Sequence, residues 1–210
     1  GIPLDYILNS TKFYDSDFYV DSRVLIPRPE TELLVDYVVK NFKDAMKVLD
    51  AGTGSGCIGI SIALKKPNFK VYGSDFSKNA LDVALINKSK LNVGNFFLVN
   101  ANWLSCFKNE SFDLILSNPP YIAENDSHLD NLIHEPKIAL TSSEAGLSDI
   151  KKIIQESSKV LKGGGVLMIE HGYNQEDQVK NLLKDNYFLD IFNIKDYQGL
   201  PRITYGILDK

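Results

Sequence analysis

From residue 46 onward, short apolar segments alternate with segments whose apolar residues recur at helical spacing. This alternation is the strongest restriction on the fold, because consecutive strands joined through helices form a parallel sheet covered on both faces. A short connection joins the last two segments, which favours an antiparallel pair there. The sequence therefore predicts an α/β fold, doubly wound around a mostly parallel seven-stranded sheet. The predicted strands are residues 48–49, 69–74, 96–99, 112–117, 166–169, 188–194 and 203–208.

The start of the chain has a different pattern. Aromatic and β-branched residues flank a short acidic turn, which predicts an N-terminal β-hairpin within residues 12–26. Two prolines, Pro27 and Pro29, then stiffen the backbone and open a helix. We therefore divide the chain into a β-hairpin linker segment, residues 1–27, and a larger domain, residues 28–210.

Two further segments depart from the simple alternation. Residues 122–148 are predicted to form a polar loop much longer than the two to six residues usual between a strand and a helix, and loops of that length are commonly functional or disordered. The helix that follows is predicted to end at Gly163-Gly164-Gly165, because glycine is favoured just beyond a helix.

Composition excludes several classes of protein. Hydrophobic residues make up 44% of the 210, which is ordinary for a globular protein and excludes a disordered chain. No apolar run approaches the roughly 18 residues needed to cross a bilayer, so we expect no membrane segment. The net charge of −4 disfavours a protein that coats nucleic acid, and we expect no stable nucleic acid binding.

Cysteine and histidine are too few and too scattered for two other kinds of site. Cys57 and Cys106 do not form a disulfide framework, which fits a cytoplasmic protein and leaves an organellar matrix open. His128, His134 and His171 do not share a spacing typical of metal ligands, so we predict no metal site and assign no histidine a catalytic role.

Five polar side chains fall at or just after the ends of predicted strands. In an open parallel sheet, ligands bind at the carboxyl ends of the strands, near the point where the strand order reverses. A rim of polar residues there predicts a binding site. The five residues are Asp50, Asp75, Asn102, Asn118 and Glu170.

The segment Asp50–Gly56 is rich in glycine and joins the first strand of the larger domain to a helix. Glycine allows a tight turn and a close approach of the backbone to a ligand. Asp75 ends the next strand, where a carboxylate can accept hydrogen bonds from two ribose hydroxyls. The pattern suits either a dinucleotide or S-adenosylmethionine (AdoMet). The lysine of a phosphate-binding P-loop is absent, which argues against nucleoside triphosphate hydrolysis.

A second motif, Asn118-Pro119-Pro120-Tyr121, directly follows the fourth strand of this domain. Proline lacks an N–H and holds the preceding residue extended, so the segment is stiff and its carbonyl oxygens face outward. An amide side chain beside an aromatic ring at the functional rim predicts a binding role. The alternative is a proline-rich strand end with Tyr121 in the core.

These motifs together resemble the class I AdoMet-dependent methyltransferases that modify planar amino nitrogens. Further stretches make the chain similar to the peptide chain release factor N5-glutamine methyltransferases, the PrmC/HemK family, over nearly its whole length. The most specific of them is Ile26-Pro27-Arg28-Pro29-Glu30-Thr31-Glu32. The others are Gly1–Ile7, Glu135-Pro136 with Ala139-Leu140, Gly146-Leu147, Glu170-x-Gly172-x-x-Gln175 and Asp196-x-x-Gly199-x-x-Arg202.

The resemblance implies a Rossmann-like class I methyltransferase fold and an activity. A methyl group passes from AdoMet to the side-chain amide nitrogen (N5) of the glutamine in the Gly-Gly-Gln loop of a release factor, leaving S-adenosylhomocysteine. Asn118, Pro119 and Tyr121 are the implied catalytic residues, and with Pro120 they bind the substrate. The implied cofactor-binding residues are Gly52, Thr53, Gly54, Ser55, Gly56, Asp75, Asn102, Trp103 and Asn118.

The sequence leaves some assignments open. Asn102 stands where this family often has aspartate. Arg28, Glu30 and Glu32 either open a helix or support the rim of the active site. Three other functions remain as alternatives. They are an adenine or guanine N-methyltransferase acting on DNA or RNA, a nicotinamide-dependent dehydrogenase, and a cofactor-binding scaffold without catalysis.

Overall fold

The computed structural model describes residues 1–209, except for the side chain of His128. Seven strands form one sheet in the order β10-β11-β9-β6-β3-β4-β5. Strand β11 runs antiparallel to β10 and β9, and all the other neighbouring pairs are parallel. The predicted sheet and its antiparallel final pair are thereby confirmed. The elements of the sheet are β3 (Lys47–Ala51), β4 (Lys70–Asp75), β5 (Phe96–Asn100), β6 (Phe112–Ser117), β9 (Leu161–Glu170), β10 (Phe188–Lys195) and β11 (Pro201–Leu208).

Helices cover both faces of this sheet, because successive strand residues point to opposite sides. On β6, Leu114 and Leu116 join the cluster that contains α2 and α3, whereas Ile115 joins the cluster that contains α6 and α7. The helices are α2 (Glu32–Asn41), α3 (Cys57–Lys65), α4 (Lys78–Lys90), α6 (Ser148–Val160) and α7 (Glu176–Asp185). None of the helices within residues 1–209 is long and apolar enough to cross a membrane.

The N-terminal segment contains the predicted hairpin and one helix that the sequence did not predict. The hairpin is β1 (Thr11–Phe13) paired with β2 (Ser16–Phe18), and the helix is α1 (Leu4–Leu8). Phe13 and Phe18 lie in the same apolar cluster as Leu34 of α2. The hairpin therefore shares the core of the larger domain. The division of the chain at residue 27 stays a prediction.

Asn87 of α4 joins the N-terminal segment to the glycine-rich turn. Its buried amide donates to the carbonyl oxygens of Tyr19 and Ser55, both at 2.9 Å, and accepts from the N–H of Tyr19 at 2.6 Å. One side chain thus satisfies backbone groups of two segments that are far apart in sequence.

Two predicted segments fold differently from expectation. The helix before the glycine triplet ends at Val160, and residues 163–165 lie within β9, where the pairing with β6 shifts between Phe112 and Leu114. The glycines absorb this irregularity, which a residue with a side chain would resist. The long segment 122–148 is also ordered. It contains β7 (Ile122–Ala123) paired with β8 (Thr141–Ser142), two 3₁₀ turns and α5 (Ser143–Gly146).

Candidate functional site

The site forms where the order of the parallel strands reverses. Strands β3 and β6 are neighbours, and Ala51 pairs with Ser117 at their carboxyl ends. The glycine-rich turn begins directly after β3, and Asn118 directly follows β6. The two motifs, which are more than sixty residues apart in the sequence, therefore meet at one edge of the sheet.

Two glycines of the turn are required for different reasons. Gly52 has φ +76°, and a Cβ there would lie 2.8 Å from the ring of Trp103. Gly54 has φ +55°, and a Cβ there would meet no protein atom within 4 Å. A side chain at position 52 would strike the indole, and a side chain at position 54 would take up the open space beside the turn.

A buried carboxylate holds the turn from below. Asp50 accepts from the Thr53 hydroxyl at 2.5 Å and from the N–H of Gly59 at 3.0 Å. Its burial raises the pKa to about 6, and these two hydrogen bonds oppose the increase. Asp50 thus shapes the turn and the start of α3, and it does not line the cavity above them.

Asp75, at the end of β4, faces this turn. Its carboxylate accepts from the N–H of Gly54 at 2.9 Å and from the N–H of Ser77 at 2.8 Å. Burial raises the pKa of Asp75, and the backbone hydrogen bonds counteract that effect. The aspartate is therefore fixed beside the cavity by the backbone on both sides.

A cavity of about 280 Å³ opens between the turn and the N-terminal segment. Gly56 is the one predicted cofactor-binding residue outside its lining. It faces Ile60 and Ala84 instead, and a Cβ there would lie only 2.8 Å from the Ile60 side chain. The predicted residues that line the cavity are Gly52, Thr53, Gly54, Ser55, Asp75, Asn102, Trp103, Asn118 and Pro120.

Two of these residues have partners on α6. The Asn102 oxygen accepts from Lys152 Nζ at 2.9 Å, and the Trp103 indole N–H donates to Asp149 at 3.1 Å. Asp149 also lines the cavity, although the sequence did not suggest it. The indole is thereby held over Gly52.

Pro119 and Tyr121 line a second, smaller cavity of about 70 Å³. Asn118, Leu25 and Ala139 line both cavities and form the wall between them. The structure therefore brings the predicted residues together around two neighbouring spaces, with Asn118 facing both.

The groups around Asn118 and Tyr121 hold both residues in place. Asn118 Nδ2 donates to the hydroxyl oxygen of buried Thr31 at 3.1 Å. The Tyr121 hydroxyl donates to Glu170 at 3.3 Å, and the backbone carbonyl oxygen of Tyr121 accepts from the Gln175 side chain at 3.2 Å. Burial raises the pKa of Glu170 to about 7 and the pKa of Tyr121 well above its usual value.

The N-terminal segment and the long segment 122–148 close the site. Of their residues, the sequence suggested a place at the rim only for Arg28, Glu30 and Glu32. Arg28 pairs with the buried Glu135 at 2.5 Å, and Glu135 also accepts from the N–H of Ile26 at 3.0 Å. Arg28 lines the smaller cavity. The unassigned residues that line the larger one include Arg23, Val24, Leu25, Pro27, Thr31, Pro136, Ile138, Ala139 and Thr141.

The two acids of uncertain role lie apart from the cavities. Glu32 accepts from the N–H of Tyr14 and so ties α2 to the hairpin. Glu30 lines neither cavity and contributes a negative charge that raises the pKa of Glu170.

Among the described side chains, no histidine lines either cavity. His171 is buried and bonds through Nε2 to the Thr204 hydroxyl at 2.8 Å, away from the cavities. The side chain of His128 lies outside the described residues. Within the described part of the chain, no group of three or more His, Cys, Asp or Glu residues could hold a metal ion.

Comparisons with known proteins point to one activity. A family model described as a methyltransferase domain matches residues 42–200. A protein of Coxiella burnetii named release factor glutamine methyltransferase is 37% identical over 97% of this chain and 74% of its own length. Proteins of the same name from Buchnera aphidicola subsp. Schizaphis graminum and Neisseria gonorrhoeae are 41% and 40% identical over 98% of this chain and 76% and 77% of their own lengths.

Solved structures show the same fold at low sequence identity. A methyltransferase from Pyrococcus furiosus matches with a TM-score of 0.70 and 18% identity, over 92% of this chain and 89% of that one. The ribosomal protein L11 methylase of Lactobacillus delbrueckii subsp. bulgaricus matches with a TM-score of 0.67 and 19% identity, over 90% of this chain and 83% of that one. These likenesses establish a class I methyltransferase fold.

Proposed function

Because this chain belongs to the release factor glutamine methyltransferase family, we propose that its larger cavity binds AdoMet and that Asn118 holds the amide that receives the methyl group. The chain is an enzyme that methylates the side-chain amide nitrogen (N5) of a glutamine in peptide chain release factors. We take this glutamine to be that of the Gly-Gly-Gln loop. We also propose a cytoplasmic location, where release factors meet ribosomes.

Several features of the larger cavity support AdoMet as its ligand. Gly54 leaves open space where a side chain would intrude, and Asp75 offers a fixed carboxylate for the ribose hydroxyls. The glycine-rich turn would hold the methionine portion, and Trp103 would lie beside the adenine. Asp75 and Asp149 add negative charge to the wall that would face a cationic sulfonium. When bound, AdoMet supplies an electrophilic methyl group.

Asn118 addresses the main chemical difficulty of the reaction. An amide nitrogen is a poor nucleophile because its lone pair is delocalised into the carbonyl group. The oxygen of Asn118 and the carbonyl of Pro119 can accept hydrogen bonds from the two N–H groups of the substrate amide. These bonds raise electron density on nitrogen and strengthen as positive charge develops there, which stabilises the transition state more than the ground state. The methylated nitrogen is strongly acidic and loses its surplus proton to water.

Tyr121 would support the same step. Its two ends are anchored to Glu170 and Gln175, so its ring has a fixed position in the smaller cavity. A planar amide can stack on such a ring, and the ring face favours the developing positive charge. We assign the smaller cavity, which also contains Pro119, to the glutamine side chain.

The observation that carries these roles is that Asn118 lies in the wall between the two cavities.

The test is a mass spectrum of a release factor after incubation with the protein and AdoMet, with one added methyl group expected on the loop glutamine. Asn118→Ala should lower turnover by a factor of about 10²–10³ and leave AdoMet affinity largely intact. Asn68→Ala, which removes an exposed asparagine far from the site, is the matched control. Near-normal turnover in Asn118→Ala would exclude the mechanism.

A further inference from the structure

We infer that Thr31 and Glu170 are positioning residues that hold the Asn118 amide with its oxygen toward the reacting nitrogen. This inference rests on the proposed role of Asn118 and extends it to two residues that do not touch the substrate amide. It identifies a function for the threonine of the Ile26–Glu32 stretch, which the sequence motif alone does not explain.

The three residues meet because of the sheet register. Ser117 of β6 pairs with Ile169 of β9, so the next residues, Asn118 and Glu170, leave neighbouring strands at the same level. Thr31 lies at the turn that opens α2, and its hydroxyl oxygen lies 3.1 Å from Asn118 Nδ2. Thr31 and Glu170 are each only 1% exposed. Water therefore has little access to rearrange their hydrogen bonds.

The direction of the hydrogen bonds follows from the number of protons. An ionised carboxylate only accepts, and a hydroxyl has a single proton to give. The Tyr121 hydroxyl donates to Oε1 of Glu170 at 3.3 Å, and the Thr31 hydroxyl lowers the pKa of the same carboxylate and so favours its charged form. One carboxylate oxygen, Oε2, has no hydrogen-bond partner within 3.5 Å among the described residues, so it attracts any nearby donor.

In the inferred arrangement the Thr31 proton is directed to this unpartnered carboxylate oxygen, and the Thr31 oxygen can then only accept. The NH₂ end of Asn118 must then face Thr31, which agrees with the 3.1 Å hydrogen bond from Asn118 Nδ2. The inverted amide would set two oxygens against each other with no proton between them. The Asn118 oxygen is consequently directed away from Thr31, where a substrate N–H can reach it.

This arrangement depends on the charge of Glu170. The groups that act on the carboxylate are Tyr121, Thr31, Arg202 and Glu30. Because burial raises the pKa of Glu170 to about 7, the carboxylate gains a proton as the pH falls through neutrality. A protonated Glu170 no longer requires the Thr31 proton, and that proton can turn to the Asn118 oxygen. The orientation that directs the Asn118 oxygen toward the substrate is then no longer favoured over the inverted amide.

The first test compares two threonines. Thr31→Val removes the hydroxyl and keeps the shape, and it should lower kcat about tenfold or more with a much smaller change in the KM for AdoMet. Thr31→Ser should restore kcat. Thr204→Val is the matched control, since Thr204 is equally buried and its hydroxyl bonds to His171 and Asn193 instead of the site. It should lower the melting temperature and leave kcat near the wild-type value.

The second test uses Glu170→Gln, which keeps the size and removes the charge. The wild-type kcat should fall as the pH decreases below about 7, whereas this variant should have a low kcat with no such decrease. AdoMet affinity, measured by calorimetry, reports whether each variant is folded. The inference is overturned by a kcat for Thr31→Val within twofold of Thr204→Val, or by an unchanged low-pH decrease in Glu170→Gln. Failure of the wild-type enzyme to methylate any release factor would instead contradict the proposed function.

Discussion

Asp75 has two kinds of neighbour, a protein backbone that fixes it and a cavity that it lines. Asp75→Ala should weaken AdoMet binding at least about tenfold, because two hydrogen bonds to a carboxylate contribute roughly 1.5–3 kcal/mol each and water replaces only part of them. Calorimetry measures the affinity. Asp82→Ala, which removes an exposed aspartate from α4, should leave it unchanged. Equal affinities of the two variants would remove Asp75 from the ribose site.

At the scale of single residues, local sequence patterns predicted well which side chains surround the cavity. They predicted less well which groups hold those side chains in place. The glycine-rich turn and Asn118-Pro119-Pro120-Tyr121 follow strands directly, so their position at the rim could be read from the sequence. Thr31 and Glu135 could not be placed in the same way. They bond to partners 87 and 109 residues away in the chain, and only the tertiary fold determines such pairs.

At the scale of elements, the turn in α5 contains backbone strain. Glu144 and Ala145 have φ of 51° and 54°, in the left-handed region that disfavours residues with a Cβ. Ala145→Gly should therefore increase the free energy of unfolding by about 0.5 kcal/mol, despite the greater flexibility of glycine in the unfolded chain. Ala63→Gly, within α3, should decrease it by about 1 kcal/mol or more. Denaturant unfolding measures both, and a loss of stability in Ala145→Gly would contradict the strain.

A second element-scale prediction concerns the segment 122–148, which is joined to the N-terminal segment through Arg28 and Glu135. Arg28→Met leaves a buried carboxylate without its cation, at a cost of several kcal/mol. Hydrogen exchange of the backbone around residues 135–142 should accelerate at least about tenfold. Lys40→Met breaks an exposed pair with Asp36 and should have no effect there. Unchanged exchange in Arg28→Met would show that other contacts hold this segment.

The elements themselves could be predicted to different degrees. All seven strands of the large sheet follow from alternating or continuous apolar runs, since those patterns record burial on one or both faces. The helix α1 is only five residues long, too short for a helical period to be recognised. The glycine triplet was misassigned because a helix end and a strand irregularity both favour glycine, and only the pairing of β9 with β6 distinguishes them.

At the scale of the whole molecule, charge separates the proposed substrate from the nucleic acid alternative. The net charge is −4, and the segment 122–148 contains five acids against one lysine, Lys137. Glu135 is paired with Arg28, and the other four are Glu124, Asp126, Asp130 and Glu144. A phosphate backbone near this surface would be repelled, and binding to duplex DNA derives mainly from neutralisation of phosphates. The protein should therefore transfer labelled methyl groups to a folded release factor and not to adenine-containing duplex at moderate salt. Efficient labelling of DNA alone would favour the base-modifying alternative.

The bridge that Asn87 forms between Tyr19 and Ser55 has a thermodynamic consequence. Any ligand that orders the glycine-rich turn also reduces the fluctuations of Ser55, and one shared amide passes that restriction to the strand-like segment after the hairpin. Such coupling is reciprocal. A change that loosens the hairpin lowers the affinity for the ligand by the same free energy by which the bound ligand stabilises the hairpin. We therefore expect the first twenty residues to contribute to cofactor affinity from a distance, although none of them lines the larger cavity.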